Sequence, residues 1–184
     1  LGVEVPFEDV PSIQKYLIRR ANEKARPVIT ATQMLLSMVV SPRPTRAEVT
    51  DVSTAITDGT DAVMLSEETA NGAYPVLSVA TMARIAAKTD SQPRAAADIP
   101  YLKPEECMDV PNAIAKASCK VAYLVRAKVI VAPTTSGATA RLIASVRPGV
   151  PIIALSFNAT TLRRMALYWG VGPLLAQGID TADE

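Results

Sequence analysis

Apolar positions recur at helical spacing in residues 10–25, where Ile13, Tyr16, Leu17 and Ala21 form one stripe and Lys15, Arg19, Arg20 and Lys24 lie off it. Pro27 closes that pattern, and residues 28–33 read as a strand. Thr45 and Glu48 have the spacing of a capping box, which predicts a helix with Val49, Val52 and Ile56 inward and Gly59 as its stop. Residues 62–65 read as the next strand and residues 76–88 as an alanine-rich helix. Residues 89–111 then lose all periodicity and carry Pro93, Pro100, Pro104 and Pro111, the composition of a connection. A second alternating block follows: helix 112–126 with Ile114, Ala117, Val121 and Leu124 inward, strand 128–133, helix 137–146, strand 151–156, helix 158–169 ended by Gly170, and strand 171–176.

Strand and helix alternate in both blocks, which predicts parallel sheets. The first block offers only two full strands, too few to cover both faces of a parallel pair. It therefore reads as a slice of a larger parallel sheet or barrel whose apolar faces would be exposed if nothing else covered them. The domain reading is 1–90 for the first block, 91–110 for a linker and 111–184 for a separate α/β sandwich.

Two segments concentrate the candidate chemistry: residues 27–34 (PVITATQM) and 61–69 (DAVMLSEET). Each turns from apolar to hydroxyl, amide or carboxylate at its C-terminal end, where α/β enzymes build their sites. The polar groups gathered there are Thr30, Thr32, Gln33, Ser66, Glu67 and Glu68. Taken alone, the threonines suit a strand and local backbone bonds, and Ser66 with its two glutamates suits a helix start. Residues 42–48 (PRPTRAE) lie between the segments and, taken alone, make a capping box with an exposed Arg46. Residues 134–139 (TTSGAT) sit between a strand and a helix. Two readings stay open for them, a phosphate cradle of helix-start amides and hydroxyls or ordinary capping by Thr135 or Ser136. They are not a P-loop, since no Gly-Lys-Ser/Thr follows.

In order and separation, ITATQML, PRPTRAEV and DGTDAVMLSEETANGAYP resemble the late barrel of pyruvate kinases, and the resemblance runs through the whole chain. It implies a partial (β/α)₈ barrel followed by the family's C-terminal α/β domain. The implied activity is phosphoryl transfer from phosphoenolpyruvate to ADP, giving pyruvate and ATP. It implies that Thr32 contacts substrate and that Ser66 and Glu68 serve the water network that protonates the enolate. Glu67 departs from the family's usual glycine. Arg46 would reach across a subunit interface of a homotetramer. Thr134, Thr135, Ser136, Gly137 and Thr139 would hold a phosphate of a sugar-phosphate effector; Thr135 and Ala138 stand where some effector-regulated members carry a charge. The implied cofactors are Mg2+ or Mn2+ and K+, with their ligands, like the catalytic lysine and the phosphate-binding arginine, upstream of Leu1. The family pattern continues past Glu184.

Composition narrows the picture. The chain has 184 residues, 49% hydrophobic but only 4% aromatic, so its core must be aliphatic. Its 19 basic and 18 acidic residues give a net charge of +1, with no basic stripe for nucleic acid. With no histidine, imidazole bases and histidine metal sites are excluded. Cys107 and Cys119 lack CxxC spacing and read as one loop thiol and one buried thiol in a reducing compartment, here the cytoplasm. No apolar run approaches the roughly 20 residues of a membrane span. The opening LGVEVP reads as the interior of a longer protein, and the chain alone is expected to lack phosphotransferase activity. The alternative function is a regulatory module that binds a phosphate effector or assembles through helices 45–59 and 112–126.

Overall fold

The computed structural model describes residues 4–91 and 109–176, which belong to two units, 1–93 and 94–184. The connection expected at 91–110 lies almost wholly outside the described residues, as does Cys107.

In the first unit, helix α1 (Val10–Glu23) leads to strand β1 (Ile29–Ala31), a 3-10 turn (Leu36–Val39), helix α2 (Arg46–Asp58), strand β2 (Ala62–Met64), a short helix α3 (Glu67–Ala70) and helix α4 (Pro75–Asp90). The two strands pair in parallel, with Ile29 opposite Ala62 and Ala31 opposite Met64. Helix α2 is the crossover that parallel pairing requires. Its start is a complete capping box: Glu48 N–H donates to Thr45 Oγ1, and Thr45 N–H donates to Glu48 Oε2. Gly59 ends it at φ 100°, a left-handed position.

Polar side chains fasten the lower part of the strand pair. Val28 N–H donates to Asp61 Oδ2 at 3.0 Å. The Thr30 and Thr60 hydroxyls meet at 3.0 Å, and Thr60 Oγ1 also lies 3.0 Å from the carbonyl oxygens of Val28 and Ala62. The polarity pattern puts Thr30 among the groups of the strand tip. It is buried instead and belongs to this internal fastening. The core of this unit gathers Met34, Leu35, Met38, Val52, Ala55, Ile56 and Met82. Ile29 and Met64 stay exposed, as a lone strand pair leaves them.

In the second unit, helix α5 (Val110–Leu124) precedes strand β3 (Ile130–Pro133), helix α6 (Ala138–Ser145), strand β4 (Ile152–Ser156), helix α7 (Ala159–Met165) and strand β5 (Val171–Leu175). The sheet is parallel in the order β3-β4-β5. Its packing rests on small residues: Ala115, Cys119, Ala132 and Ala144 around Ile143, Val146 and Ile152, and Ala140 and Ala154 against Met165. Burial pushes the Cys119 thiol up to about 11, so it is protonated and inert at neutral pH.

Three helix faces differ from expectation. In α1, Ile18 is the buried residue, while Tyr16 and Leu17 are exposed. In α2, Ala55 joins Val52 and Ile56 inside, and Val49 is at the surface. In α5, Ala115, Cys119 and Ala122 turn inward, while Ile114 is 59% exposed and Val121 and Leu124 are exposed too. Close contact of α5 with α6 and β3 needs small side chains, so the larger aliphatics fall on the outer side. Among the described residues, no helix is long and apolar enough to cross a membrane.

Gly137, at φ 84°, sets the start of α6, and a Cβ there would meet Met165 Cγ at 3.1 Å. Gly137→Ala is expected to destabilise the second unit by about 1–2 kcal/mol. Gly149→Ala, with open space around it, is expected to leave the urea midpoint nearly unchanged. Equal midpoints for the two variants would contradict this packing.

Candidate active site

The parallel register sets both strand tips at one end of the first unit. Ala31 pairs with Met64, so Thr32 leaves β1 beside the point where Leu65 and Ser66 leave β2. The chain then turns in a way that no residue pattern announces. Thr32 (φ 73°) and Gln33 (φ 54°) both take left-handed backbone conformations. For a β-branched residue this is an outlier, because Cβ crowds the following carbonyl. The reversal sends Met34 and Leu35 down into the core and leaves Thr32 and Gln33 exposed at the rim.

Ser66 stands before α3 without capping it by its side chain. Glu68, in the first turn of α3, folds back instead of pointing outward. It is 1% exposed, and both carboxylate oxygens are in use. Oε1 accepts from Leu35 N–H at 3.0 Å, and Oε2 accepts from Ser66 N–H at 2.8 Å. One carboxylate thus joins the segments that come after β1 and β2. Glu67, where the resemblance implies glycine, lies exposed at the first position of α3.

A second carboxylate holds the same β1 loop from the other side. Glu48 Oε1 accepts from Ser37 N–H, and Oε2 accepts from Ser37 Oγ, both at 2.6 Å. The capping-box bonds from Thr45 to Oε2 complete the set. Burial is the largest influence on each glutamate and opposes ionisation. For Glu68 the backbone bonds from Leu35 and Ser66 outweigh it, against a further small opposition from Glu48. For Glu48 the bonds from Ser37 and Thr45 do so. Both carboxyls therefore lie below their ordinary value of 4.5 and are anionic at neutral pH.

Arg46 is exposed at the first residue of α2. The loop 134–139 lies in the second unit. There Gly137 N–H donates to Thr134 Oγ1 at 3.0 Å and Ala138 N–H donates to Ser136 Oγ at 3.4 Å, so local hydroxyls already take two of the helix-start amides. Thr135 is tied through its carbonyl to Thr161 Oγ1 at 3.0 Å. Thr135, Ser136 and Thr139 are exposed and Gly137 is buried. Among the described residues, no three His, Cys, Asp or Glu side chains gather as a metal site.

The description "Pyruvate kinase, barrel domain" matches residues 1–79, and "Pyruvate kinase, alpha/beta domain" matches residues 112–184. The chain belongs to the pyruvate kinase family. It is 47% identical to a pyruvate kinase of Sporosarcina psychrophila and 50% identical to one of Agrobacterium vitis, in each case over 100% of its own length. It spans 31% and 39% of those relatives, about a third of a family member. The crystal structure of a pyruvate kinase from Cryptosporidium parvum superposes with a TM-score of 0.87 at 41% identity, over 100% of this chain and 37% of the other. The fold is thus part of a (β/α)₈ barrel and a parallel α/β domain.

Sequence reasoning singles out Thr32, Ser66 and Glu68 but misses the left-handed turn and the second bond set of Glu48. The capping-box spacing points to Glu48, yet Ser37 lies eleven residues away and no local pattern joins them.

Folded values below 4.5 mean that the stability due to Glu48 and Glu68 is fully present above pH 4.5 and lost as pH falls through those lower values. Urea midpoints of the first unit are expected to drop across that acid range, and less so in Glu68→Gln. A midpoint independent of acid would contradict the assignment of two hydrogen-bonded carboxylates.

Proposed function

We propose that this chain is part of a pyruvate kinase, a glycolytic phosphotransferase of the cytoplasm. An oxygen of the ADP β-phosphate attacks the phosphorus of phosphoenolpyruvate, the bond from phosphorus to the enol oxygen breaks, and the enolate left behind takes a proton at its methylene carbon to give pyruvate. The observation that carries this reading is the emergence of Thr32 and Ser66 at one end of the parallel pair β1–β2, in a chain about half identical to pyruvate kinases along its whole length.

Thr32, exposed on its left-handed turn, presents a hydroxyl that can hold the substrate. Ser66, uncommitted to capping, supports the water that delivers the proton, and Glu68 fixes the backbone from which Ser66 projects. Mg2+ or Mn2+ and K+ are proposed for the whole enzyme, where a divalent ion supplies charge neutralisation on the phosphoryl group. Their ligands are assigned outside this chain, and no step here depends on them. Arg46, exposed at the start of α2, is proposed as an interface residue of a homotetramer.

A second reading concerns the second unit. Gly137, left-handed at φ 84°, opens α6 with Thr135, Ser136 and Thr139 exposed around it, which favours an allosteric phosphate-effector site there. Addition of a sugar phosphate is then expected to shift the amide resonances of residues 136–139; unmoved resonances would remove this reading.

Thr32→Ala in the full-length enzyme is expected to keep the fold and to lower kcat/KM for phosphoenolpyruvate by roughly tenfold or more, the loss of one hydrogen bond to a charged ligand. Steady-state kinetics with a folded-state check by circular dichroism decide it. Unchanged kinetics would remove Thr32 from the site.

A further inference from the structure

A turn that strains two consecutive side-chain-bearing residues persists only if its surroundings over-determine it. Thr32 and Gln33 form such a turn, and both are exposed, so packing of their own side chains does not hold it. The residues just after the turn are firmly fixed. Leu35 is fully buried, and its N–H donates to Glu68 Oε1 at 3.0 Å. Two residues on, Ser37 N–H and Oγ donate to Glu48. The far side of the Glu68 clamp is Ser66 N–H, so the carboxylate also sets the distance between the two strand tips.

We infer that Glu68 is a positioning residue for substrate binding: by accepting from Leu35 N–H it holds the left-handed Thr32–Gln33 turn that aims the Thr32 hydroxyl at phosphoenolpyruvate. This rests on the proposed role of Thr32. It assigns Glu68 a task distinct from proton delivery. A group 1% exposed, with each oxygen bound to a backbone amide, is placed to hold rather than to exchange protons with solvent. In glutamine at this position one oxygen acceptor is replaced by an NH₂ donor, so only one of the two backbone amides keeps its partner.

Loss of the clamp lets the turn relax, and the binding-competent fraction falls. Apparent affinity falls with that fraction, while bound substrate restores the turn at saturation. Glu68→Gln in the full-length enzyme is therefore expected to raise KM for phosphoenolpyruvate about tenfold and to change kcat less than about threefold. Glycine takes positive φ without penalty, so Gln33→Gly relieves the strain that the clamp opposes. In a Gln33→Gly background, Glu68→Gln is expected to raise KM less than about threefold.

A kcat loss with unchanged KM, or a Glu68→Gln effect equally large in both backgrounds, would overturn the inference. If Glu68→Gln alone does not fold, the Gln33→Gly, Glu68→Gln pair is expected to fold, and its failure would likewise overturn it. The two proposals separate cleanly. A silent Thr32→Ala removes the substrate role of Thr32, whereas an impaired Thr32→Ala with no rescue by Gln33→Gly removes only the clamp.

Discussion

A single buried carboxylate bridges the ends of two parallel strands, and the candidate site depends on it. Glu68 gives one oxygen to Leu35 N–H and the other to Ser66 N–H. A carboxylate is a strong acceptor for backbone amides, and in a site with little water each such bond resists loss more than a neutral one does. The same geometry carries a cost. A buried anion must be compensated in full, and among the described residues the compensation comes from two backbone amides.

The strand pair itself is fixed from below by a different kind of chemistry. Asp61, Thr30 and Thr60 tie the backbone of β1 to that of β2 near Val28 and Ala62. An aliphatic cluster of Met34, Leu35, Met38, Val52 and Ile56 packs with Val63 of β2 and with Leu65. Thr32 follows β1 directly, and Ser66 follows β2 after Leu65. The strands are thus tied together by hydroxyls at Thr30 and Thr60 and end directly at the candidate site. The strained Thr32–Gln33 turn lies at the rim directly after β1, where a residue proposed to bind substrate gains from being held in an uncommon conformation.

Much of this is legible in the residues. Alternating periods locate the strands and helices, and Thr45 with Glu48 announces a cap that forms as expected. The polarity change marks the C-terminal ends of the strands, but it begins at Thr30, which is buried within β1. The inward faces of α1 and α5 escape that reading for a physical reason. Periodicity finds an apolar stripe, but Ile18 and the Ala115, Cys119 and Ala122 series show that close packing selects a neighbouring one. Side-chain size at the contact decides, and the spacing of apolar positions does not contain it. The pairing of Glu48 with Ser37 and of Glu68 with Leu35 joins residues eleven and thirty-three positions apart, beyond any local pattern. Nor does Thr-Gln announce a left-handed turn, since neither residue favours one.

Amide hydrogen exchange at Leu35 tests the clamp most directly. With Glu68 in place, the Leu35 and Ser66 amides are expected to exchange slowly, and Glu68→Gln is expected to deprotect the one that loses its acceptor while the core amides of α2 keep their protection. If the Leu35 amide exchanges as fast as those of exposed loops in the unaltered protein, no carboxylate holds that turn, and the link between the strand tips does not exist.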